Sequence, residues 1–213
     1  EWLRATPAVA GIAMRGRDWS RRFGDTHLHV TSETGAPTVL QRVGSFTQVN
    51  PAANLLLVRT VVDFVAAGAR VLDLFCGAGN LSLPLARVAT SVVAVDQDAG
   101  GVTDGAASAA AAGLTNIRFE AGAADRFLRR HGLAAASVVV LDPPRSGATT
   151  VATQLARLTP ARIVYVSCEP TTLARDARTL VAAGYTVDRV QVIDLFPQTE
   201  HVETVLEAVL TAR

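Results

Sequence analysis

From Arg70 to the C-terminus, apolar runs and helical stretches alternate, and then the alternation stops. The runs Arg70–Phe75, Ser91–Asp96, Asn116–Glu120, Ser137–Leu141 and Arg162–Val166 read as buried strands. Between them, 80–88, 98–112, 123–130, 149–158 and 170–182 read as helices. Strands separated by helices run parallel, because each helix carries the chain back across the sheet. The ending is different. Thr186–Leu195 and His201–Leu210 are extended runs joined only by Phe196-Pro197-Gln198-Thr199-Glu200. That link is too short for a crossover, so these two must be antiparallel. The expected fold is α/β, a doubly wound parallel sheet with a reversed last strand. A chain of 213 residues, 49% hydrophobic, is long enough for one such domain and a small appendage.

The appendage is expected at the N-terminus. Val9–Met14, Thr26–Val30 and Thr38–Val43 are short β-like runs between Gly, Asp and Ser-rich turns. They predict a partial β-rich domain over 1–45, followed by an α/β domain over 46–213. Asn50-Pro51 reads as N-cap and first helical residue of a helix reaching about Ala67. The chain opens on Glu1-Trp2 without an initiator methionine, which suggests a piece of a longer protein.

Charge and cysteine content narrow the class. The net charge is +1, so no global field marks a nucleic-acid binder. All 20 basic residues are arginine. Local clusters occur at Arg15, Arg17, Arg21 and Arg22, and at Arg126, Arg129 and Arg130; each reads first as a solvated face. The two cysteines, Cys76 and Cys168, form neither a disulfide framework nor a four-cysteine metal or iron–sulfur site. They fit a reducing cytoplasm. No apolar run approaches the ~18 residues of a membrane span, and no signal peptide is present.

Open α/β sheets bind ligands at the carboxyl ends of their strands, so the chemistry-bearing residues are sought there. Asp73-Leu74-Phe75-Cys76-Gly77-Ala78-Gly79-Asn80 runs from a strand through a glycine turn into a helix. Gly77 and Gly79 let backbone approach a ligand closely. Asp96 ends the next strand, where a carboxylate accepts from ribose hydroxyls. A nicotinamide site uses similar parts, but Gly77-x-Gly79-x-x-Ser82 lacks the third glycine and the acid precedes the turn. The arrangement resembles motif I of S-adenosylmethionine (SAM) enzymes, and the reversed last strand is the plan of class I methyltransferases. Cys76 is expected to pack in the core.

Three further elements reach the same edge. Asp142-Pro143-Pro144-Arg145 follows the fourth strand, and Pro-Pro stiffens that backbone. Cys168, in Ser167-Cys168-Glu169-Pro170, leaves the fifth strand just before a helix. A helix N-terminus favours the thiolate over a free thiol of pKa ~8.5; the plain alternative is an inert packing cysteine. Glu203 opens the last strand, whose reversal brings its start to this edge.

Taken in order, Phe46-x-Gln48-Val49-Asn50, the Asp73–Asn80 turn, Asp142-Pro143-Pro144-Arg145, Ser167-Cys168-x-Pro170 and Phe196-Pro197-x-Thr199-x-His201-Val202-Glu203 resemble the SAM-dependent RNA uracil-5 methyltransferases, which make 5-methyluridine in tRNA and rRNA. The likeness is dense over 46–213 and loose over 1–45. It implies Cys168 as nucleophile, Glu203 as the base for the C5 proton, and Asp142 as a group serving both base and cofactor. It implies Gln48, Asp73, Phe75, Gly77, Gly79, Asn80, Asp96 and Asp142 as contacts to SAM, and Phe46 and Arg145 as contacts to the RNA.

The sequence departs from the family pattern at two sites. Glu169 stands where the family usually has Asn, and an anion there opposes the thiolate unless it points away. Ala123 stands where many relatives have Asp or Asn, leaving Asp125 as a substitute. The family's usual N-terminal RNA-binding β-barrel is absent from this sequence. The rival readings are a SAM enzyme acting on an exocyclic base nitrogen, a cytosine-5 RNA methyltransferase, and a decayed SAM- or RNA-binding module. The cytosine enzymes typically carry a second Cys after Pro, where this chain has Arg145.

Overall fold

A computed structural model describes Thr6, residues 8–31 and residues 36–211. Glu1 and Trp2, which suggested a longer parent chain, lie outside the described residues. Four short strands come first: β1 (Gly11–Arg15), β2 (Ser20–Gly24), β3 (His27–Val30) and β4 (Val39–Arg42). They form two antiparallel hairpins, β1–β2 and β3–β4. Strand β2 was not expected. All five of its residues are exposed, so its sequence carries no buried alternation, and the ladder with β1 alone makes it a strand.

The remaining elements are α1 (Pro51–Phe64), β5 (Arg70–Leu74), α2 (Ser82–Ala86), β6 (Ser91–Asp96), α3 (Ala99–Ala111), β7 (Ile117–Ala121), α4 (Ala124–His131), β8 (Val138–Leu141), α5 (Thr149–Leu158), β9 (Arg162–Ser167), α6 (Pro170–Ala182), β10 (Tyr185–Ile193) and β11 (Glu203–Leu210). Strands β5–β11 form one sheet in the order β10-β11-β9-β8-β5-β6-β7. Pairs β5–β6, β5–β8, β6–β7 and β8–β9 are parallel, and β11 is antiparallel to both neighbours. The α/β architecture with its reversed last strand is therefore present. The chain leaves β5 to one side for β6 and β7, then returns to lay β8 on the other side. The crevice beyond the ends of β5 and β8 is the switch point where such sheets bind ligands.

Alternation along the strands explains why both faces are covered. Leu72, Leu74, Val139, Leu141, Ile163 and Tyr165 pack in one core with α4, α5 and α6. Val71, Val138, Val140, Val164 and Val166 face the opposite core with α1 and α2. Burying each such side chain contributes roughly 1.5–3 kcal/mol. Helix α1 starts where expected, with Asn50 accepting from the Ala53 N–H at 3.1 Å and Pro51 in the first turn. It ends at Phe64, earlier than expected.

Hairpin β3–β4 docks on α3 through polar groups. The buried Asp104 carboxylate accepts from the Arg42 backbone N–H at 3.1 Å and pairs with its guanidinium, and Ser108 Oγ accepts from Leu40 N at 2.8 Å. Helix α3 also lies close to the sheet, since a Cβ on Gly105 would sit 2.4 Å from the Phe119 ring. Among the described residues no helix is long and apolar enough to cross a membrane.

Candidate active site

Strand β5 ends at Leu74, and Phe75 turns out of the ladder with φ +66°. A left-handed conformation is costly for a bulky residue and persists where surrounding structure imposes it. Here the Phe75 and Cys76 N–H groups both donate to Val95 O, at 2.9 and 3.2 Å. Gly77 (φ +54°) and Gly79 (φ +92°) complete the turn. Gly77 N donates to Asp96 Oδ2 at 2.9 Å, so the carboxylate ending β6 fixes the turn after β5. Asp96 Oδ1 accepts from Asp98 N at 2.7 Å. Each Asp96 oxygen keeps a lone pair for a ligand hydroxyl.

Phe75 and Asp96 line a pocket of about 130 Å³ with Val95, Gln97, Ala123, Ala124, Asp125 and Val151. Gln97 and Val151 carried no signal in the sequence, because neither belongs to a turn or a charge pair. Asp125 reaches this pocket beside Ala123, but its carboxylate is engaged by Arg129 at 2.8 Å.

Below the turn, Asp73 is fully buried. One carboxylate oxygen accepts from Ser82 Oγ at 2.5 Å; the other has no partner. Burial pushes its pKa up to about 7 against the Ser82 hydrogen bond, and the nearby Asp142 and Asp96 carboxylates add to the rise. An unpaired buried acceptor costs ~1–3 kcal/mol, and a cationic ligand would relieve it. Gln48 Oε1 is likewise buried without a partner. Asn80 and Asn54 exchange reciprocal amide hydrogen bonds at 2.9 Å, tying the turn to α1. Sequence reasoning missed Asn54. The signal was available: Asn54, Leu57, Val58 and Val61 recur on the buried face of α1, and one of them is polar. Cys76 is buried as expected, with its thiol raised by burial.

The second half of the site comes from strand register. In the β9–β11 ladder Ser167 stands opposite Thr204. Cys168 directly follows Ser167 and Glu203 directly precedes Thr204, so both come to this end of the ladder, where the Glu203 charge acts on the Cys168 thiol. Cys168 is partly exposed, while Glu203 is 3% exposed and its Oε1 has no partner. Burial, and then the Asp142 charge, push Glu203 up to about 8. Asp142, held by its N–H to Leu74 O at 3.3 Å, is raised by burial to about 7. Its charge acts on Asp73, Glu203 and Cys168, so it is within electrostatic reach of both the cofactor turn and the β9–β11 end.

One expectation is corrected. Cys168 does precede a helix with Pro170 in its first turn, yet its thiol pKa lies above the ordinary value. Burial raises it first and Glu203 next, while the Arg145 guanidinium pulls the other way. Helix position alone does not make the thiolate dominant. Glu169 is harmless where it stands, because its carboxylate caps α6 by accepting from Thr171 N at 3.2 Å. Arg145 is exposed, and its guanidinium is the group that favours the Cys168 thiolate. Phe46 is 78% exposed at the approach to α1. Among the described residues no group of three or more His, Cys, Asp or Glu could hold a metal ion.

Known proteins share this architecture. Residues 37–210 match the family model described as tRNA (Uracil-5-)-methyltransferase. The chain is 48% identical over 166 residues to a Pseudomonas putida protein named 23S rRNA (uracil(1939)-C(5))-methyltransferase RlmD, covering 76% of this chain and 37% of that protein. A relative of the same name from Alkalilimnicola ehrlichii is 48% identical over 171 residues, covering 76% of this chain and 38% of its own. The chain thus spans somewhat over a third of the length of these relatives. The crystal structure of Pyrococcus abyssi tRNA (uracil-54, C5)-methyltransferase in complex with S-adenosyl-L-homocysteine superposes with TM-score 0.80 at 27% identity, covering 94% of this chain and 51% of that one. Since the family match runs over residues 37–210, well over half of the chain, the chain belongs to the tRNA (uracil-5-)-methyltransferase family.

Proposed function

We propose that this chain is the catalytic part, over 46–213, of an enzyme that moves a methyl group from SAM to C5 of a uridine in RNA, working in the cytoplasm. Residues 1–45 are proposed as part of a β-rich, RNA-contacting domain. The observation that carries the reading is the β9–β11 register, which pairs Ser167 with Thr204 and so brings the adjoining Cys168 and Glu203 to one edge, in electrostatic reach of each other and of Asp142. Large-subunit rRNA is the favoured substrate, because the relatives at 48% identity are named for 23S rRNA. The relative named for tRNA stands at 27%.

The residues present fit SAM. Asp96 would take ribose hydroxyls, and the apolar pocket behind Phe75 would take the base. The unpartnered Asp73 oxygen and Gln48 would face polar groups of the methionyl end, beside Gly77 and Gly79. Asn80, held by Asn54, would keep the turn in shape. When bound, SAM supplies an electrophilic methyl group.

The chain's own residues do the remainder. Uracil C5 is a weak nucleophile. Addition of the Cys168 thiolate to C6 forms an S–C6 bond and moves the C5=C6 pair onto C5 and O4, so C5 can accept a methyl group. Glu203 then takes the C5 proton, the pair returns to C5=C6, and the Cys168 thiolate leaves. Arg145 offsets the rising charge on sulfur. Phe46, exposed on the segment before α1, is the proposed contact to the flipped base, whose unstacking costs a few kcal/mol.

Mapping 5-methyluridine in rRNA and tRNA from cells with and without the full-length protein tests the reading. Loss of one rRNA position is expected. Loss confined to tRNA would redirect the substrate, and no loss in either would refute the function.

Cofactor binding should depend on pH. In the free protein Asp73 and Asp142 titrate at about 7. A cationic ligand favours their ionised forms, so below that pH binding must expel protons. Affinity for SAM therefore rises with pH through neutrality and levels off above it, by roughly tenfold for each carboxyl that must ionise per pH unit below its pKa. Calorimetry on both sides of neutrality reads this, and Asp73→Asn should remove one carboxyl's share of the slope and leave that of Asp142.

A further inference from the structure

Helix α6 leaves the nucleophile turn and then reaches back to the loop that follows β8. Asp176, fully buried on α6, accepts from Ala148 N at 2.7 Å, Thr149 Oγ1 at 3.0 Å, Tyr165 Oη at 2.8 Å and Arg175 Nε at 2.9 Å. It thereby caps α5 from outside, which α5 needs because Ala148 at its own N-cap has no side-chain acceptor. Arg175 Nη2 donates to Ser146 O at 3.0 Å, and Thr172 Oγ1 lies 3.1 Å from both Arg145 O and Glu169 O. Gly147 takes φ +74° beneath this contact, and a Cβ there would fall 2.5 Å from Arg175 Nη2 and 2.8 Å from Asp176 Oδ2. The backbone from Arg145 to Thr149 is thus gripped along its length by three side chains of one helix.

We infer that Thr172 and Asp176 are positioning residues that hold Arg145 in register with Cys168 and so set the reactivity of the sulfur. The inference rests on the methyltransferase reading only for its consequence in RNA; the grip itself acts on the free protein. Thr172 links the two loops most directly, since its hydroxyl meets the carbonyl of Arg145 on one side and of Glu169, next to Cys168, on the other. Without it, Arg145 is free to leave the sulfur, and displacement of a reacting group by ~1 Å is enough to slow chemistry strongly.

Two readouts on the full-length protein test this. The first is alkylation of Cys168 by iodoacetamide across a pH series, followed by peptide mass so that other cysteines do not contribute. Thr172→Val should slow it about tenfold at neutral pH and move its profile to higher pH, because less thiolate is present. Thr172→Ser should restore it, and Asp176→Asn should act in the same direction as Thr172→Val. A loss of stability alone would lower the melting temperature and leave the profile where it was. The second readout is covalent trapping on 5-fluorouridine RNA, which Thr172→Val should slow about tenfold while SAM affinity stays within about twofold. Alkylation and trapping by folded Thr172→Val at the unsubstituted rates would overturn the inference. If the unsubstituted protein forms no adduct, the functional reading falls, and the alkylation series still decides the grip.

Discussion

Replacing Cys168 with alanine is expected to lower methyl transfer by ~10³-fold or more while leaving SAM affinity within about twofold. Cys168, partly exposed, follows the last residue of β9 at the end of the ladder where β11 begins with Glu203. The proposed cofactor contacts lie on other elements, before α1 and at the ends of β5, β6 and β8. The chain's other cysteine, Cys76, is buried with its thiol raised by that burial, so it does not replace Cys168 at C6. Radiolabel transfer to RNA and calorimetry with SAM separate the two effects. An enzyme acting on an exocyclic nitrogen would retain most of its activity in this variant, because that chemistry needs no thiol.

The Glu203→Gln variant should fail at a later step. Adduct formation and methylation need the sulfur, whereas release needs a base for the C5 proton. Turnover should fall by ~10²–10⁴-fold, and denaturing gels should show protein–RNA adduct accumulating with natural, unfluorinated RNA. The pH dependence follows from the same geometry. Burial and Asp142 push Glu203 up to about 8, and a base must be ionised to accept a proton. Below that pH the carboxyl is held protonated, so adduct release, read as adduct decay in a single turnover, should speed up from neutral pH toward 8. The Glu203→Gln profile should lose that limb. Rapid, adduct-free turnover in this variant would remove Glu203 from the mechanism.

The frame of the molecule was legible where hydrophobic period and end signals agree. Helices 149–158 and 170–182 have the expected limits, and the antiparallel ending followed from a link too short to cross the sheet. The edge carrying Cys168, Asp142 and Glu203 followed from the same argument, since reversal alone decides which end of β11 faces it. Features settled by tertiary contact were not legible. Strand β2 exists through pairing without burial, and Phe75 leaves its strand because Val95 holds the turn. The raised Cys168 thiol depends on burial and on Glu203, neither of which spacing reveals. Asp176 was overlooked although it lies between Leu173 and Leu180 on the buried face of α6. A single acid in an apolar stripe is the sequence sign of a buried polar junction, as Asn54 is on α1.

The most direct test is the mass of the protein after incubation with SAM and rRNA carrying 5-fluorouridine. Fluorine cannot leave C5 as a proton, so Glu203 has nothing to remove and the sulfur stays bonded to C6. The expected result is a stable one-to-one adduct that digestion maps to the peptide containing Cys168, formed only when SAM is present. A folded, SAM-binding protein that methylates natural RNA yet yields no such adduct, or an adduct on any other residue, would contradict the account.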